Sequence, residues 1–294
     1  MKSLASLIFL FSSAAFALTQ TEQTLTPSGQ QFELRGGANY QYIDMSYDDS
    51  STVTANGFNI PLTAFYGLND NNAIGFGFNY KSLTADVKPF GLPSYKQKTK
   101  GFESFDIRYK GNFDLMKSMT LYVDGTFSIP PEKRSSNTLT YEYSASDGQI
   151  GLTGTVGLVA PVSVFKLGGL FSYRFNMEGD GTYTSNLYNN LSTKVSGGNL
   201  MTIQLFGEIE NAYNPNASIY YKTEEATKIK ANGTTISDGS KSDLLGVRGS
   251  LRFIATENLD IIPYGAFETI LNKSDLNADK ANAFFIGADA RFLF

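Results

Sequence analysis

Charged side chains recur two or four residues apart along several short stretches of this chain. Glu33 and Arg35 form one such pair, and Glu208 and Glu210, Arg248 and Arg252, and Asp289 and Arg291 form others; Asp106, Arg108 and Lys110 make a run of three. Lys81, Asp124, Lys166, Arg174, Lys222, Asp260 and Glu268 sit in the same phase of similar stretches. A spacing of two places such groups on one face of a strand. A face carrying both signs can attract and sort ions, or it can neutralise itself by internal pairing. Acid–base or metal chemistry fits less well. The chain has no histidine, which removes the commonest general base and metal ligand. It has no cysteine, hence no thiol nucleophile, zinc-thiolate site or disulfide. Asp48-Asp49-Ser50 and Glu178-Gly179-Asp180-Gly181 hold ligand-type oxygens, but their spacing is not that of a defined calcium loop, and solvated turns explain them. No catalytic residue, metal site or cofactor is expected.

The residues between these charges are apolar. Phe58, Ile60, Leu62, Ala64 and Tyr66 alternate with polar groups, as do Ile74, Phe76, Phe78 and Tyr80, and Leu245, Val247, Leu251 and Phe253. Read with period two, the chain gives about twelve strands of roughly ten residues each, starting near Phe32. No apolar period near 3.6 residues persists, which argues against helices. Around Ile261 and Ile262 the phase is ambiguous. Placing Leu259, Ile261, Pro263 and Phe267 on the apolar face sends Asp260 and Glu268 to the polar one. Short turns and long loops alternate, as in an even-stranded antiparallel barrel with both termini on one rim. Aromatics cluster towards both strand ends: Tyr40, Tyr42, Phe58, Tyr80, Phe175 and Phe284 on the loop side, and Phe32, Tyr66, Phe113, Phe165, Phe292 and Phe294 on the turn side.

Composition agrees with a single unit. Gly, Tyr, Phe, Asn and Ser are spread throughout, with no break that marks a second domain. The formal net charge of −4 offers no basic stripe for nucleic acid. Mean hydropathy of −0.18 is far too polar for a helical membrane protein, yet suits a barrel whose strands have one wet face. Lys2, the apolar run Leu4 to Phe11 and Ala15-Phe16-Ala17 read as a cleavable signal peptide over residues 1–17. Residues 18–31 form a short periplasmic segment, too short for a globular plug, and 32–294 form the barrel.

The last strand names the superfamily. Phe284, Ile286, Ala288, Ala290, Phe292 and Phe294 share one face, while Phe285, Gly287, Asp289, Arg291 and Leu293 share the other. This pattern resembles the closing strand of bacterial outer-membrane β-barrels. The resemblance implies a single up-and-down antiparallel transmembrane barrel in the outer membrane of a Gram-negative-type envelope. It also implies that Phe284, Ile286, Phe292 and Phe294 form a signal read by the barrel-assembly machinery. Barrel enzymes of that superfamily place a histidine in their catalytic sets, and this chain has none. Outer-membrane lipid and small solutes are the expected partners, and oligomeric state is left open. The charged positions, from Glu33 to Arg291, become candidates to line a lumen. Two readings of that lumen stand side by side: a narrow mixed-charge pore for passive diffusion, and a closed interior sealed by salt bridges. A closed barrel with binding loops and a transporter for hydrophobic compounds are the alternatives. Leu170, Leu200, Phe206, Tyr220, Leu244, Ile262, Tyr264 and Phe285 could form a greasy track, or fill space against Gly157, Gly168, Gly246 and Gly287. If a loop folds inward, the longest candidates are 176–195 and 223–241.

Overall fold

The computed structural model describes residues 25–116, 118–186, 188–211, 213–272 and 278–294. The segment read as a signal peptide lies outside the described residues. Among those described are nineteen strands. They are β1 (Phe32–Tyr47), β2 (Thr52–Asn69), β3 (Asn72–Lys88), β4 (Tyr95–Met116), β5 (Met119–Ile129), β6 (Arg134–Asn137), β7 (Glu142–Ser144), β8 (Gly151–Val162), β9 (Phe165–Asn176), β10 (Gly179–Thr184), β11 (Leu191–Gly197), β12 (Leu200–Ile209), β13 (Asn216–Glu224), β14 (Thr227–Ala231), β15 (Thr234–Asp238), β16 (Ser242–Ser250), β17 (Phe253–Thr256), β18 (Leu259–Ile270) and β19 (Ala278–Leu293).

Twelve staves make the wall: β1 to β5, β8, β9, β12, β13, β16 with its continuation β17, β18 and β19. Each pairs antiparallel with its neighbours. β19 returns to β1, with Arg35 opposite Arg291 and Tyr42 opposite Phe284, so the sheet has no open edge. Closure is what lets strands cross lipid, since every backbone donor and acceptor finds its partner within the wall. Both ends of the wall lie on one rim, where the Phe294 N–H donates to the Phe32 carbonyl at 2.9 Å.

The outer surface is apolar where lipid would touch it. Ile74, Phe76, Ile107, Leu205, Val247 and Ile286 are exposed, while the residues between them turn inward. Aromatic pairs mark two levels. Phe32–Tyr66 at 4.8 Å and Phe292–Phe294 at 4.5 Å lie on the short-turn side. Tyr40–Phe58 at 5.4 Å, Tyr80–Phe102 at 5.4 Å and Phe267–Phe284 at 4.9 Å lie on the loop side. These are the interfacial girdles of a spanning barrel. The phase chosen for β18 holds, with Asp260, Ile262, Tyr264 and Glu268 all buried.

Several strands outrun the ten-residue expectation. β4 has 22 residues, and at about 3.4 Å per residue and a tilt near 40° it rises roughly 55 Å, about twice the apolar band. Lys88 and Tyr95 to Lys100 lie within these long strands, beyond the ten-residue span expected. Ladder pairing to a long neighbour, rather than lipid, stabilises these upper ends. The remaining strands continue the wall above the membrane: β7 pairs parallel with β4, β6 parallel with β10, and β11 antiparallel with β14. The 176–195 and 223–241 stretches therefore stand up as hairpins. In the first, Lys194 Nζ donates to Asp180 at 2.7 Å, which holds the Asp180 carboxyl below its ordinary range and raises the Lys194 ammonium.

Candidate functional site: the barrel lumen

The interior is divided lengthwise. On the β1–β3 and β16–β19 side it is filled. Near the short-turn rim a chain of ion pairs runs Arg252–Asp260 (2.8 Å), Asp260–Arg291 (3.3 Å), Arg291–Glu33 (2.7 Å) and Glu33–Arg35. Higher up, Arg248 approaches Asp289 at 3.9 Å and lies 3.8 Å from the Tyr264 ring centre. Lys222 and the Tyr220 hydroxyl both donate to Glu268, at 2.7 and 2.8 Å. Burying these charges is tolerable because partners and hydrogen bonds accompany them. Towards the loops the same side is apolar: Ile43, Met45, Val53, Ala55, Leu83, Val87, Leu244, Ile270, Ala281 and Ala283 form one buried cluster.

The opposite side, from β4 through β13, holds a cavity of about 300 Å³. Thr126, Ser128, Thr153, Thr155, Ser172 and Thr202 line it with short hydroxyl side chains, which leave room where longer residues would fill it. Asp106, Arg108, Asp124, Arg174 and Lys222 also line it. Arg108 pairs with Asp124 at 3.2 Å, and Tyr122 donates to the same carboxylate at 3.1 Å.

A segment of the loop between β5 and β8 enters this cavity from above. Gly148 adopts φ +73° and lies against the backbone of Asp180 and Arg134, so the chain can double back there. Ser146 and Gln149 are buried, and Gln149 Nε2 donates to the carbonyls of Met177 and Gly197 at 3.1 and 3.2 Å. Asp147 is thereby presented to Arg174 at 3.1 Å. Glu103 and Glu224 lie within electrostatic reach of both, and Lys81 sits 3.5 Å from Glu103. The two long loops named as candidates for folding inward line the cavity through Asn176, Glu224 and Thr227 at their bases, but they do not supply Asp147. The β5–β8 loop supplies it, and only its Ser-Asp-Gly turn signal was available in the sequence to find it.

The opposite mouth is crossed by residues 25–31. The Leu25 carbonyl accepts from Arg35 at 2.9 Å and from Lys110 at 3.4 Å. Gln30 N and Gly67 O are joined at 2.8 Å, and Gly29 N donates to Asp70 at 3.1 Å, pinning the segment to the β2–β3 turn. Arg35, Arg108 and Lys110 surround the Phe65 ring at 5.6, 5.6 and 4.0 Å.

Of the charged positions singled out in the sequence, most share the inner face, but they separate into two groups. Glu33, Arg35, Arg248, Arg252, Asp260, Glu268, Asp289 and Arg291 belong to the filled side. Asp106, Arg108, Asp124, Arg174 and Lys222 line the cavity. Lys81 lies at its edge, beside Glu103. Lys110 lies beneath the terminal segment. Glu208 is buried between β9 and β13, and Lys166 lies near the rim. Glu210 departs from the expectation. It lies one residue past the end of β12, exposed at the rim, where Lys166 meets it at 2.5 Å. The alternation that carried Glu208 inward ends with the ladder, so Glu210 faces water. Glu103, Arg134, Asp147 and Glu224 line the cavity without having been picked out beforehand. The β-bulge between Phe78 and Tyr80 offsets Glu103 from the strand's earlier phase, which hid it from a period-two reading.

Of the inward apolar residues, Leu170, Leu200 and Tyr220 also line the cavity. Leu170 lies over Gly157, Phe206 over Gly168, Tyr220 over Gly246 and Tyr264 over Gly287.

A closed twelve-stave wall, two aromatic girdles and a charged interior define the class: an outer-membrane β-barrel. No family model matches the chain, and no curated protein is similar to it in sequence. Among solved structures, an outer membrane channel from Pseudomonas putida F1 is similar with a TM-score of 0.66 and 11% identity, over 94% of this chain and 100% of that one. The transport unit of the autotransporter AIDA-I from Escherichia coli is similar with a TM-score of 0.59 and 11% identity, over 98% of this chain and 97% of that one. At such identity the likeness is one of fold.

Proposed function

We propose that the protein is a passive channel for small solutes whose pathway is confined to the β4–β13 side of the barrel. The observation that carries this reading is the cavity of about 300 Å³ walled by hydroxyls and paired charges, beside a half that is filled. The Asp147 segment narrows the extracellular approach, and residues 25–31 narrow the periplasmic one. Both are short pieces of chain held by a few hydrogen bonds, unlike the wall itself. Opposite charges within a Debye length of about 8 Å cancel much of each other's field, so the pathway discriminates weakly between simple ions. No enzymatic role is assigned to a chain without histidine or cysteine. The same reading keeps residues 1–17 as a cleaved signal peptide and the closing-strand aromatics as the assembly signal. Stacking of the inner apolar groups on glycines weighs against transport of hydrophobic compounds.

Purified barrel reconstituted in planar bilayers tests the proposal. Small, steady single-channel conductance is expected, together with swelling of liposomes in small neutral solutes. Silence from a barrel shown to be folded would overturn it and favour a binding role for the extracellular sheet.

A further inference from the structure

The upper end of β4 carries a basic ladder outside the barrel. Gln97 and Thr99 are buried inside the wall, so Lys96, Lys98 and Lys100 all point outward and are exposed. Their spacing of two residues sets the ammonium groups about 7 Å apart along the strand. The ladder begins two residues above Phe102, on the same face, where Phe102 meets Phe78 and Tyr80 at 5.5 and 5.4 Å. That aromatic cluster marks the outer boundary of the lipid-facing band, so the lysines stand at headgroup level. Two carboxylates are near. Asp86 pairs with Lys96 at 3.6 Å, both side chains being largely exposed. Glu142 is opposite Lys98 in the β4–β7 register. Among the described residues no ion pair engages Lys98 or Lys100.

We propose that this ladder binds the phosphate groups of a phosphorylated glycolipid in the outer leaflet. Charge and depth argue for a lipid. The cations lie directly above an apolar, aromatic surface that would hold acyl chains, so headgroup and chains are engaged on one continuous face. A free phosphate would gain only the exposed lysines, whose individual attraction is weak and screened by salt.

The test uses the full barrel refolded in phosphatidylcholine micelles, as wild type and as K98Q/K100Q. Each is titrated with diphosphoryl lipid A, dephosphorylated lipid A or inorganic phosphate, and phosphate or glycolipid retained after gel filtration is counted per barrel. Wild type is expected to retain diphosphoryl lipid A, and the double variant to bind it about tenfold more weakly. The dephosphorylated lipid should be retained poorly by both, and heat-modifiable gel mobility should be the same for both. Equal retention by wild type and variant, or of the phosphorylated and dephosphorylated lipids, overturns the proposal. Retention of inorganic phosphate at the same concentrations overturns its assignment to a lipid.

Discussion

At Gly168 and Gly246 the inner wall has no room for a methyl group. A Cβ at either position would overlap the Phe206 or Tyr220 ring from the neighbouring strand. Gly168→Ala and Gly246→Ala should each destabilise the refolded barrel by about 1–3 kcal/mol through overpacking, read as a lower midpoint in urea unfolding from lipid. An unchanged midpoint would show that these rings do not rest on the wall. Arg248 presents a different case. It is buried beside Asp289 and Tyr264, and it does not line the cavity. Arg248→Met removes the cation paired with Asp289 and leaves Arg35 as the cation nearby, so a loss of about 3 kcal/mol is expected, with ion selectivity almost unchanged. A shift in reversal potential at normal stability would place Arg248 in the conducting path instead.

On the proposed channel reading, the element that limits passage is the segment Ser144–Gln149. It is held by the Gln149 amide, by the Asp147–Arg174 pair, by the Ser146 hydroxyl on the Glu132 carbonyl at 3.0 Å and, at Ser144, by the β4–β7 ladder. Gln149→Ala removes both amide bonds without changing any charge. Single-channel conductance should rise by about twofold or more as the segment gains access to outward positions, with little change in wall stability, because loops open at lower free energy than the ladder they join. Equal conductance in wild type and variant would remove the segment from the pathway. The closing strand gives the converse expectation. The Phe294 ring is exposed to lipid, touching Phe292, and its N–H makes one bond to Phe32. Phe294→Asp should reduce the amount of assembled barrel in cells severely, yet lower the stability of protein refolded in vitro by only about 2 kcal/mol. Normal cellular levels would refute an assembly role for this strand end.

For the molecule as a whole, the lengthwise division of the lumen is the main consequence. Ion pairs, aromatic rings on glycines and an apolar cluster brace one side, and short hydroxyl side chains leave the other open. Conductance should therefore be far below that of an empty twelve-stranded cylinder. Replacing Thr155 and Ser172, which bond to each other at 3.0 Å across the cavity wall, by leucine should cut conductance several-fold, since the pathway has no second lane. Conductance that survives this double change would mean that ions travel along the other side.

The barrel was legible in the sequence because lipid and water impose a strict alternation on each strand. Strand phase, the closing aromatics, the two girdles and the inner placement of most charges all follow from local period-two order between two solvents. Even the phase of β18 could be settled by asking where Asp260 and Glu268 can reside. What the interior does with those charges was not legible. Arg248 meets Asp289 over the one intervening strand, β18, and Arg291 lies between Glu33 and Asp260 because β19 pairs with both β1 and β18; strand register and closure decide both. Strand length was underestimated because the upper ends of β3 and β4 are held by neighbouring ladders rather than by lipid, and so lack the apolar signature. Glu103 was hidden by a bulge, Glu210 by the end of a ladder, and the inward Asp147 segment by lying in one of several long loops that look alike in sequence. The bulge, the ladder end and the inward segment are set by strand pairing and loop packing, which only the tertiary structure supplies.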